Sequence, residues 1–284
     1  MPIINLALSG GGLKSFSQVA VIKKLEELDI KINAIAGTSM GALIASLVAI
    51  GLDASAIEIE LLKLEAIFDK EKYLLKPSSK HLPFTQEKLV GGYVDGEIIE
   101  NILDTLFDKY DIKYIKDVKI PLAIPSVDLK SGKLIVFVSH PEIYTSIDTV
   151  ETNIKLSKAI RASSSIPMVI SSCPFKDYLL IDGGIKLNVP VPLLRCYSTH
   201  KILAITAKDE VETLSDTPGI VTTINQVYKI MSTEFDIYLS KEAEYQINIP
   251  VGRKQLSIGE GKHIITKSTE YVESLNIFDK LKSD

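Results

Sequence analysis

Residues 32–50 read INAIAGTSMGALIASLVAI, and this stretch decides the fold. Ile32 to Gly37 is a short apolar run rich in β-branched residues and closed by glycine, which predicts a buried strand. Gly37-Thr38-Ser39-Met40-Gly41 follows as a G-x-S-x-G turn, and Ala42 to Ile50, with Leu52, is almost entirely apolar. That last run is far shorter than the roughly 20 residues a membrane span requires, so it predicts a helix buried on all sides. Strand, tight turn and buried helix in that order belong to a layered α/β protein. In this context G-x-S-x-G makes a nucleophile elbow, with a serine hydroxyl at the positive end of the following helix. The plainer alternative is a glycine-rich turn that merely packs tightly.

Working outward, Ile3 to Leu8 forms a first strand and Phe16 to Leu28 an amphipathic helix with Val21, Leu25 and Leu28 on one face. Ser55 and Glu58 predict a capping box for a helix bearing Ile57, Leu61, Leu64 and Phe68. Residues 70–95 break the rhythm: Lys70, Lys72, Lys76 and Lys80 interleave with Tyr73, Leu74, Leu75, Leu82 and Phe84, around Pro77 and Pro83. This reads as a surface excursion or lid, able to rest on an anionic bilayer if it is more than a solvated loop. Glu97 to Phe107 resumes a helix, and Pro121–Val127 with Lys133–Val138 predict a hairpin. Tyr178–Ile181 and Ile202–Thr206 add strands, and Ile220 to about Tyr245 predicts a long closing helix. Without a Gly/Ser-rich linker or a repeat, the expectation is one domain over residues 1–284, with 207–284 as its helical extension.

Composition narrows the functions. The 284 residues are 46% hydrophobic and 24% charged, which supplies a sizeable core and excludes a disordered chain. A net charge of −4 leaves no cationic excess for a phosphate backbone, so nucleic acid is not an expected partner. Cys173 and Cys196 stand alone and the four histidines are scattered, so no disulfide framework, metal site or other cofactor is expected. The opening residues carry neither a basic leader nor an apolar stretch of signal length, and the expected location is cytoplasmic.

Two further segments can carry chemistry. Ser9-Gly10-Gly11-Gly12-Leu13-Lys14-Ser15 joins the first strand to the first helix and exposes backbone N–H groups suited to an oxyanion or a phosphate. Leu13 interrupts the Gly-Lys pair of a Walker A loop, and Ser15 replaces the last glycine of a dinucleotide fingerprint, so nucleotide binding is not expected. Tyr178-Leu179-Leu180-Ile181-Asp182-Gly183-Gly184 ends a strand in a carboxylate followed by two glycines, which by itself is commonly only a turn.

In order along the chain, these segments resemble the patatin-like phospholipase family, whose hallmarks are a glycine-rich loop, G-x-S-x-G and D-G-[GA]. Ala162-Ser163-Ser164-Ser165-Ile166-Pro167 is similar to the family's A-S-x-x-x-P block, and Asn188 and Pro190 follow at the usual distance. The likeness runs from about residue 3 to about 206; Ser15 departs from it, standing where the family has glycine after the basic residue.

The resemblance implies a three-layer α/β/α sandwich around a central, mostly parallel sheet. It implies an enzyme, a lipid acyl hydrolase cleaving phospholipid or lysophospholipid esters without calcium, with peripheral contact with a membrane surface as a further expectation. Ser39 would be nucleophile and Asp182 general base, and Gly10, Gly11 and Gly12 the oxyanion hole. Lys14, Gly37, Gly41, Gly183 and Gly184 would support the motifs. Two alternatives stand beside this reading: a non-catalytic lipid-binding or interaction module on the same fold, and an ordinary α/β-hydrolase esterase with His200 or His263 as a third member.

Overall fold

The structure is a computed structural model that describes residues 1–72, 90–144, 149–197, 199–208, 217, 219–252 and 258–283. Among them, strands β1 (Ile3–Leu8), β2 (Lys31–Gly37), β4 (Leu122–Asp128), β5 (Leu134–Val138), β6 (Val150–Glu151), β10 (Ile202–Lys208) and β11 (Tyr245–Pro250) form one sheet in the order β11-β10-β1-β2-β4-β5-β6. Neighbours from β11 through β4 are parallel, whereas β4 and β5 form the antiparallel hairpin expected from sequence. β9 (Tyr178–Asp182) lies antiparallel to the far half of β4, and β8 (Cys173–Phe175) extends it. Two short strands, β3 (Gly92–Val94) and β7 (Met168–Ile170), pair separately.

Alternation along the strands builds the layers. Leu6, Leu8, Ile35, Leu122, Ile124, Ile135, Phe137, Leu203 and Ile205 all belong to one buried cluster. Their immediate neighbours Ala7, Ala34, Ala36, Ala123, Val136, Val138, Ile202 and Ala204 belong to another. Since successive side chains leave a strand on opposite faces, the central sheet is covered on both sides, which gives the three-layer α/β/α sandwich. The large-residue face carries α1 (Gln18–Glu27), α2 (Met40–Ala49), α3 (Ala54–Glu71) and α9 (Gly261–Glu273). On the alanine-rich face, short side chains let α7 (Val191–Arg195) lie close to β1 and β2, beside α8 (Ile220–Ser240). α2 is buried from Gly41 through Ala49, as its composition predicts. Among the described residues no helix is long and apolar enough to cross a membrane.

The boundaries differ from the sequence reading in four places. The N-cap of α3 is Asp53, whose carboxylate accepts from the Ala56 N–H at 2.7 Å, and the Ser55/Glu58 capping box does not form. Asp53 supplies the same acceptor one helical start earlier, while Glu26 receives the Ala54 N–H at 2.9 Å. The first helix begins as a 3-10 turn over Gly12–Ser17, leaving only Gln18–Glu27 as α-helix. α8 ends at Ser240, and Tyr245 opens β11, so the 207–284 region adds a parallel strand to the sheet as well as helices. Last, α3 continues through Glu71 into the expected break; residues 73–89, with most of the anticipated lid, lie outside the described residues.

α4 (Gly96–Asp108) holds α5 (Leu156–Ser163) through a buried ion pair, Arg161 Nη1 to Glu100 Oε2 at 2.8 Å. Arg161 is 4% exposed and Glu100 14%. Removing one partner strands the other charge, and Glu100→Ala is expected to lower unfolding free energy by about 2–3 kcal/mol, the low side of the usual cost because Glu100 keeps some water. Urea titration measures this, and an unchanged midpoint would mean that the guanidinium finds another acceptor.

Candidate active site

The β2–α2 turn is strained where the serine sits. Ser39 has φ 54° and ψ −125°, a positive-φ conformation that a residue with a side chain ordinarily avoids. The turn is possible because its flanks are glycine. A Cβ on Gly41 would come 2.5 Å from the Ser9 carbonyl oxygen, and one on Gly37 would collide with the Gly41 carbonyl. The strain lifts the Ser39 side chain off the sheet at the first turn of α2, where unpaired N–H groups favour negative charge. Thr38 fixes the turn from beneath, donating its hydroxyl to the Leu187 carbonyl at 2.8 Å.

Asp182, at the end of β9, is brought to Ser39 by a strand that runs antiparallel to β4 and pairs its Asp182 with Ser126. The Ser39 side chain lies beside the Asp182 carboxylate, close enough to favour its ionised form, and the Gly184 N–H donates to Asp182 Oδ1 at 2.6 Å. Burial pushes the Asp182 carboxyl up to about 6, against the lowering effects of the Gly184 N–H and the Ser39 side chain. A carboxylate in this state is a far better proton acceptor than one in water while remaining ionised at neutral pH. The Gly183 N–H is held by the Ser163 carbonyl at 3.3 Å.

The 162–167 block, met in the sequence only as a pattern, is what joins the two halves. Ser163 Oγ accepts the Ser39 N–H at 3.0 Å, and the Ser165 carbonyl accepts the Asp182 N–H at 3.0 Å. Both residues sit at the end of α5, which the Arg161–Glu100 pair anchors.

The glycine-rich loop lies over the same spot. A Cβ on Gly10 would be 3.0 Å from Ser39 Cβ. The Gly10 N–H, expected as an oxyanion donor, is already engaged with Asn188, through Oδ1 at 3.1 Å and the carbonyl at 3.4 Å. No hydrogen-bond acceptor for the Gly11 or Gly12 N–H is found among the described residues. Lys14 is half-buried in the 3-10 turn; burial, and then the charge of Lys229 on α8, push its ammonium down to about 8.

α8 was invisible to motif reading, yet it reaches the site. Asn188 Nδ2 donates to Asp236 Oδ2 at 2.7 Å. Burial, followed by the carboxylates of Asp182 and Asp236, pushes the Tyr228 phenol up to about 12. Neither Tyr228 nor Asp236 stands in a recognisable sequence pattern, because an amphipathic helix carries no signal of what its polar positions face.

The described histidines are elsewhere. His200 precedes the amino end of β10, whereas Ser39 follows the carboxyl end of parallel β2; a seven-residue strand separates these edges, about 20 Å. His263 is exposed on α9, and His140 hydrogen-bonds Ser139 Oγ at 2.8 Å. His81 lies outside the described residues. Among the described residues no three His, Cys, Asp or Glu side chains form a set able to hold a metal ion.

Beside Ser39 opens an apolar cavity of about 180 Å³, lined chiefly by Leu13, Phe16, Leu43, Leu61, Leu103 and Ile160.

Comparison with known proteins follows the same outline. An uncharacterised NTE-family protein of Mycobacterium tuberculosis is 29% identical over 240 residues, which is 83% of this chain and 58% of that protein. An uncharacterised protein of Acanthamoeba polyphaga mimivirus is 30% identical over 196 residues, 67% of this chain and 61% of the relative. The chain thus spans less than two thirds of the length of these relatives. Among solved structures, VipD from Legionella pneumophila aligns over 99% of this chain and 66% of its own at 12% identity, with a TM-score of 0.46. The type III effector ExoU aligns over 100% and 54% at 14% identity, with a TM-score of 0.45. The family model for the patatin-like phospholipase matches residues 6–195, from β1 through α7 and across all the glycine, serine and aspartate motifs. The chain belongs to the patatin-like phospholipase family.

Proposed function

We propose that this chain is a serine acyl hydrolase that cleaves fatty-acyl esters of phospholipids or lysophospholipids through Ser39 and Asp182. The observation that carries the reading is the approach of the Ser39 side chain, on its strained turn, to a buried Asp182 carboxylate of raised basicity. Membership of the family supports lipid-ester hydrolysis in general.

Ser39 Oγ attacks the ester carbonyl carbon while its proton passes to Asp182. The carbonyl oxygen takes up the negative charge facing the Gly11 and Gly12 N–H groups, with the start of α2 adding its field. Collapse of this adduct expels the alcohol, which takes the proton from Asp182, and leaves the acyl group on Ser39. Asp182 then accepts a proton from water as it attacks the acyl-enzyme; fatty acid departs and Ser39 recovers its proton. In this scheme Gly10 holds the loop instead of donating to the oxyanion, since its N–H is occupied.

The apolar cavity is suited to the acyl chain. Each methylene buried there is favoured by about 0.8 kcal/mol, enough to discriminate long chains from short ones. Ile99, which lines the cavity and keeps some exposure, provides the check. Ile99→Trp is expected to lower kcat/KM for a dodecanoyl ester by about 10- to 100-fold and to leave a butyryl ester within about threefold, because only the long chain reaches that depth. Equal losses on both would place the acyl chain elsewhere. The substrate class itself is tested by incubating wild type and Ser39→Ala with a mixed lipid extract and following products by mass spectrometry. Serine-dependent release of fatty acid is the expected result, and an unchanged lipid profile would favour a non-catalytic module.

A further inference from the structure

Asn188 is the hub between the glycine-rich loop and the catalytic pair. Its Oδ1 accepts the Gly10 N–H at 3.1 Å, and a Cβ placed on Gly184 would meet the same oxygen at 3.1 Å and Asp182 Oδ1 at 2.9 Å. A side-chain amide has a nearly symmetric shape, so sterics alone do not decide which end faces Gly10. Turned over, it would present an NH₂ group to an N–H, and the loop would keep only the longer contact with the Asn188 backbone carbonyl at 3.4 Å. What prevents this lies outside the family match, on α8: Asp236 Oδ2 accepts from Asn188 Nδ2 at 2.7 Å. An ionised carboxylate only accepts, so it admits the NH₂ end and no other. Its other oxygen, Oδ1, is buried with no hydrogen-bond partner among the described residues, and so the Asn188 contact is the one bond this carboxylate makes there. Burial raises the Asp236 carboxyl to about 6, which still leaves it ionised at pH 8.

We infer that Asp236 is a positioning residue for the hydrolysis: by holding Asn188 in a single amide orientation, it fixes the Gly10–Gly12 loop over Ser39 in the geometry that receives the oxyanion. The inference rests on the proposed Ser39 hydrolase reading. It places part of the oxyanion apparatus in the C-terminal region, beyond the residues shared with the family model. Asp236 touches neither substrate nor reacting atoms in this account; it acts through Asn188. Such a residue affects a group used only in the transition state, so its loss lowers kcat with little change in KM.

The test uses the full chain at pH 8, a p-nitrophenyl ester and a fluorophosphonate probe, whose phosphoryl oxygen occupies the same position as the oxyanion. Asp236→Ala is expected to lower kcat and the labelling rate by about tenfold each, with KM within twofold. Asp236→Asn keeps the shape and one acceptor oxygen but also carries a donor, so it allows both amide orientations and is expected to show an intermediate kcat, about threefold below wild type. Asn188→Ala should show a loss of its own, to which adding Asp236→Ala contributes nothing more, as required when two groups act through one path. Wild-type kcat and labelling in Asp236→Ala, or losses that multiply in the double variant, would overturn the inference alone. Should Asp236→Ala fold poorly, wild-type kcat and labelling in Asp236→Asn would overturn it as well. A wild-type chain that neither turns over ester nor takes the label would instead overturn the hydrolase reading, and this inference with it.

Discussion

Replacing Ser39 with alanine is expected to lower kcat for ester hydrolysis by on the order of 10⁶, to a residual rate set by substrate binding and the oxyanion donors alone. The loss is so large because the proposed mechanism has one nucleophile and no second route to an acyl-enzyme. The substitution removes a single oxygen. Alanine inherits the same positive φ, so the turn, its flanking glycines and the Ser163 hydrogen bond to the backbone N–H all persist. Circular dichroism and melting temperature should therefore match wild type while fluorophosphonate labelling disappears. Retained labelling would locate the reactive hydroxyl elsewhere, and retained turnover would remove the hydrolase reading.

Asp182→Asn is the second large effect, with kcat expected to fall by on the order of 10⁴, since the amide holds its place but cannot take the serine proton. The wild-type pH profile follows from the same carboxylate. With its carboxyl raised to about 6, Asp182 is an ionised base above that pH, and kcat/KM should fall tenfold per unit as pH drops below it. Tyr228, which faces Asp182 and Asp236, stays protonated across this range with its phenol at about 12 and adds no step. Asp236 also titrates near 6, so the limb belongs to both carboxylates, and the Asp236→Asn variant isolates the Asp182 part.

Stability should move the opposite way to activity in Asp182→Asn. A carboxyl whose folded value lies above its unfolded one favours the folded state at low pH, and that advantage is lost as pH rises from about 4 through about 6. Above pH 7 the buried charge is therefore a cost, and Asp182→Asn is expected to raise unfolding free energy by up to about 3 kcal/mol. Paired melting curves and rates at pH 8 check both halves. A variant both inactive and destabilised would show that the carboxylate acts chiefly as a structural acceptor for the Gly184 N–H.

Much of the architecture was legible because strand and helix periods leave a direct trace. The alternation in β1 and β2, the almost entirely apolar run of α2 and the G-x-S-x-G turn between β2 and α2 fix local conformation through neighbours in the chain. The departures have two causes, a competing local cap and a long-range strand pairing. Asp53 displaced Ser55 as the cap of α3, and the apolar residues after Ser240 served a strand whose pairing with β10 depends on a distant partner.

The site divides along the same line. The sequence by itself determined the chemical groups, Ser39 on a glycine-flanked turn, Asp182 before two glycines and a triple-glycine loop, since each is a short motif whose geometry is set within a few residues. Only the tertiary structure decided that Asp182 meets Ser39, that Ser163 and Ser165 stitch them together, that Asn188 takes the Gly10 N–H, and that Asp236 on α8 holds Asn188 in turn. Those contacts join residues from 17 to 178 positions apart in the chain, the longest being that of Gly10 with Asn188. Hydrogen bonding at such separations depends on how layers pack and leaves no periodic mark in the order of residues.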